Sequence, residues 1–199
     1  MFPKPYRLFL LAFLCSTLAF AQRGAVTRPE TLSSLTAQAH TIVEGRILDS
    51  RVEPHPQYPN LSTVLVTMSV AQTLKGPSAP SLTFRQFVWD IRDRLDHVGY
   101  TPGTEVLLFL STPTNTGLRS PIGLEQGHFT ITSDRKGNRL ATNGRNNLGL
   151  TPAAAPQSRT TTKSTAKTPA APAAKSPQNQ GPMLEKDLVR QIKSLVATH

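Results

Sequence analysis

The chain contains a single cysteine in 199 residues, Cys15, and it lies close to the start. One thiol cannot close an intramolecular disulfide, and no C-x-x-C pair exists to hold zinc. Tryptophan is equally scarce, with Trp89 alone, and aromatic residues make up 6% of the chain. The five histidines, His40, His55, His97, His128 and His199, are scattered and form no H-E-x-x-H pattern. Neither G-x-S-x-G nor G-x-x-x-x-G-K-[ST] occurs, so there is no nucleophile elbow and no phosphate-cradling loop. The sequence therefore assigns no catalytic residue, no metal ligand set and no cofactor. Acidic residues are few as well, 12 against 22 Lys and Arg, which gives a net charge of +10. Such a surplus draws a protein towards anionic surfaces without conferring specificity.

The longest apolar run, residues 8–20, falls short of the roughly 20 residues that a membrane-spanning helix needs. Lys4 and Arg7 precede it and Ala19-Phe20-Ala21 follows. A basic segment, a short apolar segment and an A-x-A site are the marks of a secretory signal peptide, so residues 1–21 are expected to be removed. Cleavage would take Cys15 with it and leave no transmembrane segment. Animal extracellular domains of this size usually carry disulfides, so a cysteine-free exported chain points to a bacterial periplasm or the surrounding medium.

Composition changes again near Leu150. Residues 151–182 are mostly Ala, Pro, Thr, Ser, Lys and Gln, with no acid and no aromatic residue. Such a stretch has too little apolar surface to offset an ordering cost of about 1–2 kcal/mol per residue. A disordered linker is expected over 144–182. Beyond it Leu184, Leu188, Ile192 and Leu195 recur at helical spacing, predicting an amphipathic helix over 183–197. An isolated helix of about 14 residues is marginal in water, so this one is expected to dock on the body of the protein.

That body is expected over 27–143. Thr27 and Glu30 have capping-box spacing, predicting a short helix over 28–40. Period-two patterns follow. Val43, Gly45 and Ile47 alternate with polar residues, as do Val64, Val66, Met68 and Val70. Leu82, Phe84 and Val88 set a third strand. Residues 106–110 are continuously apolar, as in a strand buried on both faces, and 128–132 alternate again before a turn at 134–138 and a short sixth strand near Leu140. The predicted fold is mostly β: a small antiparallel barrel of five to six strands with short flanking helices and a disordered linker.

Ala39-His40-Thr41-Ile42-Val43-Glu44-Gly45, Leu74-Lys75-Gly76, residues 102–110 and Gln126-Gly127-His128-Phe129 together resemble a group of exported bacterial proteins of uncharacterised activity. Those are similar to five-stranded OB-type barrels of the netrin-like and metalloproteinase-inhibitor kind. The resemblance implies an OB-like barrel over 27–143. It does not carry the animal inhibitors' mechanism, which inserts an N-terminal cysteine that this chain lacks.

Trp89 stands among Arg85, Phe87, Arg92, Arg94 and Tyr100. OB barrels bind ligands on a sheet face through aromatics and cations, which makes these six the expected binding residues. The rival site is Asp90, Asp93, Asp96 and His97, whose oxygen and imidazole ligands would suit a divalent ion in a metal-dependent hydrolase. Arg92 and Arg94 are interleaved and would neutralise the same carboxylates. The reading is thus an exported, non-enzymatic binding module whose partner is an envelope protein or anionic polymer. A dedicated nucleic-acid role is not expected. A third reading is a structural envelope protein that adheres through its basic tail.

Overall fold

The computed structural model describes residues 28–88, 97–150 and 181–198. The expected signal segment, residues 89–96 and most of the expected linker lie outside them. Seven antiparallel strands form one sheet: β1 (Thr41–Pro54), β2 (Ser62–Lys75), β3 (Ser81–Phe87), β4 (Glu105–Leu110), β5 (His128–Ser133), β6 (Arg139–Asn143) and β7 (Met183–Leu184), in the order β3-β2-β1-β4-β5-β6-β7. Two helices, α1 (Leu32–Gln38) and α2 (Glu185–Ala197), complete the described elements apart from two single 3-10 turns. No helix among the described residues is long and apolar enough to cross a membrane.

The protein is mostly β, but the sheet does not close into the expected five- to six-stranded barrel, and β3 and β7 are its edges. Two isolated bridges carry the pairing part of the way round. Arg85 on β3 bridges Leu118, and Pro121 bridges Leu110 at the end of β4. Residues 118–121 thus span from β3 to β4, and β1, β2, β3, this segment and β4 follow one another in a ring. β5 to β7 extend the sheet outward from β4.

β1 makes the ring possible because it pairs with both β2 and β4 and bends on the way. Its register with β2 shifts three times, once between Glu44 and Gly45. A Cβ at Gly45 would stand 1.9 Å from the Ser69 carbonyl oxygen, so only glycine allows the strands to approach there. β1 runs well past Ile47, to Pro54. The period-two signal stops early because a bulge between Ile47 and Asp49 moves the side chains out of phase.

Strand alternation sorts the core into two clusters. Val43, Ile47, Val64, Val66, Met68, Phe84, Val106, Leu108 and Leu110 lie inside the ring with Tyr100. Ile42, Leu107, Phe109, Phe129 and Ile131 lie on the opposite face, beneath Leu32 and Leu35 of α1 and Leu188, Val189 and Ile192 of α2. Residues 106–110 are all fully buried, as a strand covered on both sides requires.

α1 starts later than the capping-box reading placed it. Thr31 is the cap, accepting from Ser34 N at 3.1 Å, while Glu30 N donates to Gln126 Oε1 at 2.8 Å. That bond holds residue 30 to the sheet side and delays the helix to Leu32. Residues 144–150, assigned from composition to the linker, are packed: Leu150 is buried and its carbonyl accepts from Leu32 N at 2.7 Å. A buried amide network holds this corner. Asn147 Nδ2 donates to Ala141 O at 3.0 Å and Gly181 O at 2.8 Å, and Asn143 Nδ2 donates to Gln126 O at 3.0 Å. Near the C-terminus, Met183 and Leu184 pair with Ala141 and Leu140 before α2 begins, which adds an unexpected seventh strand.

Candidate functional site

Of the six expected binding residues, Trp89, Arg92 and Arg94 lie outside the described residues. So do Asp90, Asp93 and Asp96 of the rival metal site, and of His97 only the backbone is described. Among the described residues, no three of His, Cys, Asp and Glu gather as metal ligands. The other three expected residues divide between the two faces of β3. Phe84 and Gln86 point into the ring, and Tyr100 joins them there. Its hydroxyl donates to Gln86 Oε1 at 2.8 Å, and its ring meets Phe84 edge-on at 5.5 Å between centroids. Tyr100 is fully buried, and burial pushes its hydroxyl well above the usual tyrosine range. It is a core residue in this arrangement.

Arg85 and Phe87 alternate to the other face of β3. Arg85 donates to Thr63 Oγ1 at 2.7 Å and pairs with Glu53 at 2.5 Å. Hydrogen bonds from Arg85 and Arg51 hold the Glu53 carboxyl below its ordinary range. Arg85 therefore braces the two strands next to the tip of the β1–β2 hairpin.

The tip of that hairpin carries Tyr58, the one large aromatic among the described residues that is mostly exposed. His55 is buried; its Nε2 lies 2.8 Å from Thr116 O, and its Nδ1 accepts from Gln57 N at 3.2 Å. Backbone bonds from His55 N to Leu61 O (2.8 Å), Tyr58 N to His55 O (3.1 Å) and Leu61 N to Tyr58 O (2.8 Å) close the turn. Pro54, Pro56 and Pro59 restrict its φ angles. Tyr58 packs against the His55 ring at 5.2 Å and remains 51% exposed. A tyrosine between prolines was the signal available in the sequence.

A second polar surface lies where the helices stop covering the sheet. Ile42, Glu44 and Arg46 share one face of β1 by alternation, so the apolar face turns charged in two steps. Arg139 collects three carboxylates there: Glu44 at 2.7 Å, Glu105 at 2.6 Å and Glu185 at 3.5 Å. Arg46 pairs with Glu105 at 2.6 Å, and Gln72 Nε2 donates to Glu44 at 2.7 Å. Burial and the nearby Glu44 raise the Glu185 carboxyl. A pocket of about 230 Å³ opens beside this ledge, lined by Glu44, Arg46, Ser69, Val70, Glu105 and Arg139 among others. Its charged groups are engaged with one another, and they tie β1, β4, β6 and α2 together.

His128 is the unusual ionisable group. Its ring stacks on Tyr100 at 4.7 Å and 11°, and its Nε2 is shielded from solvent with no hydrogen-bond partner. Burial lowers its pKa to about 4. A neutral imidazole is the form that this site accepts.

With the geometry in view, comparison with known proteins adds no identity. No protein-family model, no curated protein and no solved structure matches the chain.

Proposed function

We propose that the chain is an exported, non-enzymatic binding module built on an OB-like ring, and that it meets its partner through the β1–β2 hairpin tip and the neighbouring outer face of β3. The observation that carries this reading is Tyr58: a half-exposed aromatic on a loop fixed by prolines, by its own backbone bonds and by the His55–Thr116 contact. Aromatic side chains anchor interfaces because they bury large area while losing little rotamer freedom, and a preordered loop lowers the entropy cost of docking. Arg85 and Phe87 extend this surface along β3, and Trp89, Arg92 and Arg94 follow them directly in sequence. The basic linker would supply attraction to the envelope and the hairpin would supply selectivity.

Pull-down from an envelope extract tests the reading, using the mature full-length chain and its Tyr58→Ala variant. The expected result is saturable capture of a partner that weakens about tenfold or more in the variant, as loss of an anchor residue does. Capture of nothing, together with turnover of a peptide or glycan panel by the purified chain, would overturn it.

A further inference from the structure

Arg46, Arg51, Arg85, Arg139 and Arg190 hold carboxylates. Arg119 does not. It is only 9% exposed, and its hydrogen bonds run to neutral acceptors. Nε donates to Ser111 O at 2.8 Å, while Nη2 donates to Thr41 Oγ1 and to His40 Nδ1, the latter at 3.3 Å. Burial disfavours its charged form. A guanidinium nonetheless stays protonated in proteins, so this corner holds a positive charge that no described carboxylate offsets.

Lys75 and His40 stand on the backbone segments next to this corner. Lys75, at the end of β2, donates from Nζ to Thr36 O at 2.7 Å and Ala37 O at 3.2 Å, so it sits against the last turn of α1. His40 follows that helix, is exposed, and donates its backbone N–H to Leu110 O at 2.9 Å. Gly76 lets those segments approach: its φ is +88°, and a Cβ there would stand 2.9 Å from His40 O and 3.1 Å from Thr41 Oγ1. Two short motifs far apart in sequence, 39–45 and 74–76, thus meet at Thr41, whose hydroxyl accepts from Arg119.

The free donors define what would fit. Arg119 Nη1 carries two N–H groups with no partner among the described residues. His40 Nδ1 faces an arginine donor, so in the neutral ring it accepts and the proton sits on Nε2, which can also donate. The side-on fork of Nε with Nη2, which clamps a planar carboxylate, is already occupied by Ser111 and Thr41. End-on donation from Nη1 beside an imidazole N–H suits an anion with oxygens in several directions. We propose that Arg119, with His40, forms a binding site for a phosphate-class oxyanion. This site is separate from the Tyr58 surface, and either can fail without the other.

Thermal unfolding of the mature full-length chain, with inorganic phosphate titrated at constant ionic strength, tests the site. Ligand that binds only the folded state raises Tm saturably. Phosphate is expected to do so while acetate does not, and Arg119→Gln is expected to weaken half-saturation by at least about tenfold. The Lys163→Gln, Lys167→Gln double variant, altered only in the linker, should keep the full response. Sedimentation with phosphatidylglycerol vesicles against phosphatidylcholine vesicles distinguishes a lipid headgroup from free phosphate; Arg119-dependent binding to either source supports the site. A Tm response equal for acetate and phosphate, or one that survives Arg119→Gln or disappears in the linker variant, overturns it. Should Arg119→Gln fail to fold, the His40 imidazole resonances of the wild-type chain decide. Movement on adding phosphate, without movement on adding acetate, supports the proposal, and resonances that stay in place overturn it.

Discussion

The two sides of the sheet are filled by different chemistry. The side beneath α1 and α2 is apolar, with Phe109 and Phe129 in tilted contact at 5.7 Å and leucines from both helices above them. The side inside the ring also contains aliphatic residues, but a polar column runs through it: Gln86, the Tyr100 hydroxyl bonded to it, and His128 stacked on the Tyr100 ring with an unpaired Nε2. An apolar core responds to lost volume. A core with polar groups responds as well to pH and to unmatched hydrogen bonds. The comparison therefore predicts different sensitivities on the two sides.

The largest effect belongs to the helix-covered side. Phe109→Ala should cost about 3–5 kcal/mol in denaturant unfolding, with no pH dependence of its own, because it removes an aromatic ring from a packed site. The ring interior should show the next effect, on acidification. His128 has a folded pKa of about 4, below its unfolded value of 6.5, so the unfolded chain takes up the proton first. Its contribution to stability is complete above about pH 6.5 and is lost as pH falls towards 4, by up to about 3 kcal/mol. His128→Phe should flatten that part of the stability profile; an unchanged profile would erase the proposed contrast. Tyr100→Phe comes third. It leaves Gln86 Oε1 without its donor and should cost about 1–2 kcal/mol at every pH between 5 and 8. The smallest effect is expected at the ledge, where Arg46→Gln should change stability by less than about 1 kcal/mol because the arginine is mostly exposed.

Much of this architecture was legible in the sequence wherever one face of a strand alternates cleanly. Val64, Val66 and Met68 are fully buried on β2, and the apolar run 106–110 is covered on both sides. The same logic located Leu188 and Ile192 on the buried stripe of α2. It lost track where backbone geometry intervened: the bulge after Ile47 hid the second half of β1, and the bond from Glu30 to Gln126 moved the helix start. The curl that brings β3 towards β4 was less legible still, because it rests on two single bridges from residues 118–121 that carry no periodic signal.

The site was legible only in part. Sequence proximity grouped Arg85 and Phe87 with Tyr100, yet alternation along β3 puts them on opposite sides, and Tyr100 arrives from a separate segment to join Gln86. The Arg119 corner could not be read from spacing at all. Its residues are 79 apart for Arg119 and His40, and only the meeting of β1, the end of β2 and the 111–120 loop brings them together. Tyr58 was not singled out, although Pro54, Pro56 and Pro59 around it mark a turn of restricted backbone.

The last two residues before α2 close the far edge of the sheet, and they are reached only after a stretch of some thirty residues outside the described body. A chain synthesised from its amino end delivers β7 and α2 last, leaving Phe129, Ile131 and Ala141 without that cover until then. Because the entropy of closing a loop grows only with the logarithm of its length, the intervening stretch delays that final docking more than it weakens it. Lengthening or shortening the stretch should therefore alter how quickly the finished protein forms and leave its resistance to denaturant almost unchanged.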